Sequence, residues 1–162
     1  MRRRIIREKV VQALYAHAIS GDPPEHVMHY VLHPLENNKP AHEFARRLVL
    51  KTIEHSAEID RIVRGKVRNW DMRRIALLDR LILRMGICEL LYFREIPPKV
   101  SMDEAIELAK LFSTFRSGQF VNGVLDAVLG DLMLNGHLAK TGRGLSEGGR
   151  EVPLHRRRQR KR

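Results

Sequence analysis

The residues of this 162-residue chain best suited to chemistry are cations and a few aromatic rings. Arg2, Arg3, Arg4, Arg7 and Lys9 crowd the N-terminus, where guanidinium and ammonium groups along a helix edge can neutralise successive phosphates and release counterions. Tyr15 stands at the border of the apolar stripe of the same segment, and Phe120 lies beside Arg116, Ser117, Gly118 and Gln119. A ring next to cations is a device for holding an unstacked base of single-stranded RNA. Core packing is the competing reading for both rings, and for Phe120 the sequence alone favours it.

Other chemistries have weaker support. His26, His29 and His33 fall at i, i+3 and i+7, but zinc sites of this kind recruit a carboxylate or thiolate at a firm spacing, and histidines on a surface helix need no metal. Cys88 sits in the most apolar stretch, where burial raises a thiol pKa and leaves it inert. Asp103, Glu104 and Glu107 open a helix, where the macrodipole favours negative charge. The glycines of 142–149 lack the strand and helix that a phosphate-cradling loop needs. The chain is expected to be non-enzymatic, with no cofactor and no metal.

Charge placement sharpens the first reading. Of 30 Lys plus Arg and 19 Asp plus Glu, residues 1–16 hold five basic and one acidic side chain, and residues 138–162 hold nine and two. The intervening 17–137 hold sixteen of each, so a neutral globule carries two cationic ends, the electrostatic footprint of a nucleic-acid binder. One cysteine excludes an intramolecular disulfide and fits a reducing cytoplasm. No run approaches the ~18 apolar residues of a membrane span, and Ile5-Ile6-Arg7-Glu8-Lys9 interrupts any signal-peptide core.

The elements that must position these residues are helices. Ile6, Val10, Leu14 and Ala18 recur at steps of four over 5–19, ending at Ser20-Gly21. Asp22-Pro23-Pro24-Glu25 predicts a helix start capped by Asp22, and the helix runs to about His33. Beyond Pro40, residues 41–67 read as one or two helices. Asp71 is the expected cap of 72–92, which is apolar nearly all round and therefore central. Ser101-Met102-Asp103-Glu104 reads as a capping box, and Ser117 as the start of a last helix stopped at Gly136. No strand alternation or repeat emerges. The expected fold class is all-α, with a domain over 1–137 and a disordered Gly- and Arg-rich tail over 138–162.

Four motifs carry a family resemblance. Arg7-Glu8-Lys9-Val10-Val11-Gln12-Ala13-Leu14-Tyr15, Ile82-Leu83-Arg84 running into Glu89-Leu90, Pro98-Lys99-Val100 before Asp103–Lys110, and Phe120–Asp126 resemble, in order and at family spacing over roughly 5–130, the bacterial NusB antitermination factors. The resemblance implies a compact bundle of about seven helices in two subdomains. It also implies a role in rRNA transcription: pairing with the small-subunit ribosomal protein that doubles as NusE, binding boxA RNA, and joining other Nus factors and RNA polymerase indirectly. The N-terminal arginines, Arg7 and Tyr15 match RNA-contacting positions, as do Gln119 and Phe120, and Lys9, Gln12 and Arg116 are grouped with them. Asp79 matches an acidic position near the NusE-facing surface. Where relatives carry an acid and a base, this chain has Arg116 and Gln119.

The alternative is an RNA-binding module related to the N-terminal domain of rRNA cytosine methyltransferases, though 137–162 leave no room for a catalytic domain. A helix-turn-helix DNA regulator is a third class, disfavoured because the charge is terminal rather than on an interior recognition helix. Some relatives of this kind form homodimers that hide the RNA surface, and the sequence leaves the oligomeric state open.

Overall fold

The computed structural model describes residues 2–67, 74–141, 144, 146, 147, 150 and 151. Among them seven α-helices occur: α1 (Arg3–Ser20), α2 (Pro24–Val31), α3 (Lys39–Glu54), α4 (Ser56–Arg64), α5 (Leu77–Tyr92), α6 (Pro98–Phe112) and α7 (Phe115–Leu134). A 3-10 turn, His33–Leu35, links α2 to α3. The fold is all-α, as expected. Two two-residue strands, β1 (Ser146–Glu147) and β2 (Arg150–Glu151), pair antiparallel beyond the bundle.

Helix α5 is the axis of the molecule, because its sequence is apolar on every side. Leu81, Ile82, Leu83, Met85, Ile87, Cys88 and Leu90 are all buried, and the helix packs against α1, α3, α4, α6 and α7. Three of its polar residues tie it to neighbours. Asp79 accepts from Ser117 Oγ of α7 at 3.0 Å, Arg84 donates both arms to Asp60 of α4 at 2.7 Å, and Glu89 holds Arg7 of α1 and Ser101 of α6.

Helix starts depart from the sequence reading where hydroxyls and carboxylates have other partners. Asp22 does not cap α2; Pro23 holds the cap position and the Asp22 amide donates to Ser20 Oγ at 3.0 Å. Helix α6 begins at Pro98, whose fixed φ suits a first turn. Ser101 therefore lies inside it, buried and donating to Glu89 Oε1 at 3.1 Å. Helix α7 begins at Phe115, capped by Thr114, whose Oγ1 accepts from the Ser117 amide at 3.1 Å. The predicted cap Asp71 lies outside the described residues; α5 itself starts at Leu77. The stretch 41–67 resolves into α3 and α4, broken at His55. Gly136 closes α7 with a left-handed φ of 67°.

The chain does not leave the bundle at once. Lys140 is buried, its Nζ donating to the carbonyls of Glu89 and Phe93 at 3.0 and 2.9 Å, and the Thr141 amide donates to Arg94 O at 3.0 Å. These contacts strap residues 140–141 across the C-terminal end of α5, adding to the Phe93 and Ile96 amides that also donate to the Glu89 and Phe93 carbonyls. The disorder expected over 138–162 does not hold for residues 140–141, and beyond Thr141 all of that tail but Gly144 and the β1–β2 pairing falls outside the described residues.

Candidate nucleic-acid interface

The N-terminal cations are less available than their sequence suggests. Arg7 is fully buried: Nε and Nη2 donate to Glu89 Oε2 and Oε1 at 2.9 and 2.5 Å, and the guanidinium lies over the Phe44 ring, 5.4 Å from its centroid. Burial opposes its charge, yet the Glu89 hydrogen bonds and charge prevail and hold it protonated more firmly than a free guanidinium. The expectation that Arg7 contacts RNA is therefore corrected. It locks α1 to α5 and cannot reach a phosphate without breaking a buried pair. Arg4 forks onto Glu104 of α6 at 3.0 and 3.2 Å, and Arg3 rests over Phe44 at 4.8 Å.

What remains open is a face rather than a comb of arginines. Arg2 is exposed at the helix start. Lys9, Gln12 and Tyr15 follow at steps of three along α1, which places them on one side; Lys9 Nζ donates to Gln12 Oε1 at 3.3 Å. Tyr15 is 42% exposed, a large value for an aromatic ring. With Val11, Gln12, Leu78 and Phe112 it lines an apolar groove of about 240 Å³. Leu78 and Phe112 were not among the predicted residues. As apolar positions on amphipathic helices they read as core, and only the junction of α1, α5 and α6 leaves them half open.

A second hollow lies across the first turn of α5. Arg74, Ile75, Ala76, Asp79, Thr114, Arg116, Ser117 and Phe120 surround a cleft of about 370 Å³ between the N-terminal ends of α5 and α7. Arg74, Arg116 and Gln119 are exposed, and Phe120 is half-buried, packed partly against the core. Gly118 fits because α6 runs close: a Cβ there would meet Lys110 Cγ at 2.8 Å. Asp79 departs from the sequence expectation. It is only 7% exposed and bonded to Ser117, so it lies in the cleft wall rather than on the outer surface. Burial holds its carboxyl above the usual range, with the Ser117 hydroxyl drawing it partly back.

The competing chemistries find little purchase. Burial, foremost, pushes the Cys88 thiol up to about 12, far above the range of a nucleophilic thiolate. His26 stands edge-on to Tyr30 at 5.8 Å and His33 Nδ1 lies 3.0 Å from Glu36. Among the described residues no helix is long and apolar enough to cross a membrane.

A helical bundle with a ring-and-cation face where three helix ends converge defines a class of surface that engages nucleic acid through stacking and phosphate contacts. Within that class the chain belongs to the NusB family, whose model matches residues 4–130. It is 48% identical over 144 residues to a transcription antitermination protein NusB from Salinibacter ruber, covering 88% of this chain and 90% of that protein. It is 41% identical over 128 residues to one from Geobacillus kaustophilus, covering 79% and 95%. The fold is similar to that of NusB from T. maritima, with a TM-score of 0.75 and 35% identity over 81% of this chain and 92% of that one. It is also similar to a chain in a structure of antitermination factors NusB and NusE in complex with dsRNA, with a TM-score of 0.72 and 29% identity over 80% and 96%.

Proposed function

We propose that this chain is a non-enzymatic, cytoplasmic transcription antitermination factor that binds the boxA element of nascent rRNA transcripts together with NusE, and that the pair acts through other Nus factors on RNA polymerase. The observation that carries the reading is a pair of hollows bordering the first turn of α5, one lined by Gln12 and Tyr15 beside Leu78 and the other by Arg116 and Phe120 beside Asp79. A family whose curated relatives are named for antitermination supports it, and the similarity to a chain in a NusB and NusE complex with dsRNA supports RNA and NusE as partners. Arg2 supplies a further phosphate contact at the edge of this face. The N-terminal end of the 20-residue α7 adds backbone attraction for phosphate.

The exposed Tyr15 ring favours single-stranded RNA, because a base paired inside a helix cannot turn its face to a side chain. An electrophoretic shift comparing single-stranded boxA RNA with duplex DNA of the same sequence tests this directly. The RNA should shift at lower protein concentration, and preference for the duplex DNA overturns the reading. A homodimer through the same face would compete with RNA; if one forms here, RNA binding should weaken as protein concentration favours the dimer.

A further inference from the structure

The two cationic ends of the sequence meet where α1 and α6 begin and α5 stops. Arg7 of α1 reaches the Glu89 carboxylate, and Lys140 of the C-terminal strap reaches the Glu89 carbonyl at 3.0 Å. Rings join the same two segments: Arg3 rests over Phe44, Phe44 stands edge-on to Phe93 at 5.8 Å, and the Phe93 carbonyl accepts from Lys140 at 2.9 Å. Beyond Lys140 the chain stays close. A Cβ at Gly144 would collide with the Arg94 carbonyl oxygen, so the backbone there lies directly on the α5–α6 turn. Strand β1 packs against α6, the helix whose Glu104 takes Arg4, and β2 pairs with β1. From Glu151 to Arg156 is five residues, at most about 18 Å fully extended, so the polycation must begin near this end.

Three carboxylates here already hold a cation: Glu89 has Arg7, Glu95 has Arg47 and Glu104 has Arg4. Glu8 and Asp103 remain, against Arg2, Arg3 and Lys99. The tail decides the sign, because Arg156, Arg157, Arg158, Arg160, Lys161 and Arg162 add six positive charges with no acid in 152–162.

We propose that the strap anchors the Arg156–Arg162 polycation beside Arg2 and Arg3, so that the two cationic ends form one surface for the phosphate backbone of single-stranded RNA continuing past boxA. The inference rests on the RNA-binding reading above. Tyr15 and Arg3 lie twelve residues apart on α1, about 18 Å along its axis. RNA that stacks on Tyr15 and follows α1 towards its start runs onto this second surface, while RNA leaving the other way moves off from it. Guanidinium contacts to phosphate position a strand without reading its bases, so the surface takes any flanking sequence.

The test measures, by fluorescence anisotropy at low salt, the affinity of the full chain for boxA RNA alone and for boxA RNA extended by oligouridylate on its 5′ side or on its 3′ side. One extension should raise affinity about tenfold and steepen the log–log salt dependence by about 0.7 for each added phosphate neutralised. The other should change affinity by less than about twofold. Truncation after Thr141, which keeps the Lys140 and Thr141 contacts, should abolish the gain, and Arg2→Ser combined with Arg3→Ser should reduce it. Gly144→Val keeps every charge but cannot lie on the α5–α6 turn, and should narrow the difference between the two extensions. No gain from either extension, equal gain from both, or a one-sided gain that survives truncation or is unmoved by Gly144→Val overturns the shared surface while leaving boxA binding standing. Failure to bind boxA RNA in any of these forms overturns both readings.

Discussion

Arg7 and Tyr15 lie eight residues apart on one helix and have opposite fates, because their surroundings differ. Arg7 points into the bundle and meets Glu89, 82 residues away in sequence; nothing local to α1 announces that partner, so a basic N-terminus reads as uniformly surface. Removing one member of a buried, hydrogen-bonded ion pair leaves the other charge unpaired, which costs about 3–5 kcal/mol. Arg7→Ala should therefore lower stability by about that amount in urea unfolding, and any loss of RNA affinity should vanish under conditions where the variant is fully folded. Tyr15 should behave in the reverse way. With 42% of its surface open, Tyr15→Ala should leave the melting temperature nearly unchanged while weakening single-stranded RNA binding by about 1–3 kcal/mol, the worth of one stacked base. Equal affinity of wild type and variant would remove the ring from the interface.

At the level of elements, the succession of helices and the central place of α5 were legible, since periodicity and an all-round apolar composition survive any tertiary context, while the split of 41–67 into α3 and α4 was left open. Helix starts were not. Ser101 and Ser117 look like caps because serine side chains satisfy orphan amides, but both hydroxyls are used to join helices, to Glu89 and Asp79 respectively. The cap of α7 is Thr114, and Thr114→Ala should cost about 1 kcal/mol of stability. Loosening that turn should also weaken RNA binding, because it orients Arg116 and Phe120. Arg116→Asp places a negative charge at the same helix end, where it disfavours phosphate. It should reduce boxA affinity by on the order of 1 kcal/mol, less as salt is raised; unchanged affinity at low salt would exclude Arg116 from the contact.

For the molecule as a whole, the strap across the end of α5 joins the cationic C-terminal segment to the bundle. Burial brings the Lys140 amine down to about 8. A lysine with a depressed folded pKa binds fewer protons folded than unfolded between about 8 and its ordinary value of ~10.4, so its contribution to stability rises with pH across that window. A neutral amine has two N–H groups for the two carbonyls it meets. The Cys88 thiol and Tyr92 hydroxyl, both raised to about 12, act in the opposite sense above their ordinary values of ~8.5 and ~10. Lys140→Met isolates the lysine: wild-type stability relative to this variant should climb from pH 8 to pH 10, and a flat difference would contradict the buried-amine account. The strap also fixes where to cut. Truncation after Thr141 keeps it intact while removing residues 142–162, and should flatten the dependence of log affinity on log salt while sparing preference for boxA over scrambled RNA. The charge of the tail was legible in the sequence. Its attachment through Lys140 was not, because a lone lysine among glycines and charges gives no sign of the carbonyls it will meet.

The most direct test of the central claim is the affinity of the full chain for single-stranded boxA RNA, measured by fluorescence anisotropy with and without NusE, against a scrambled RNA of equal length. The account predicts tighter binding by the pair than by the chain alone and a clear preference for boxA over the scrambled sequence. Equal affinity with and without NusE, together with indifference to sequence, would contradict it.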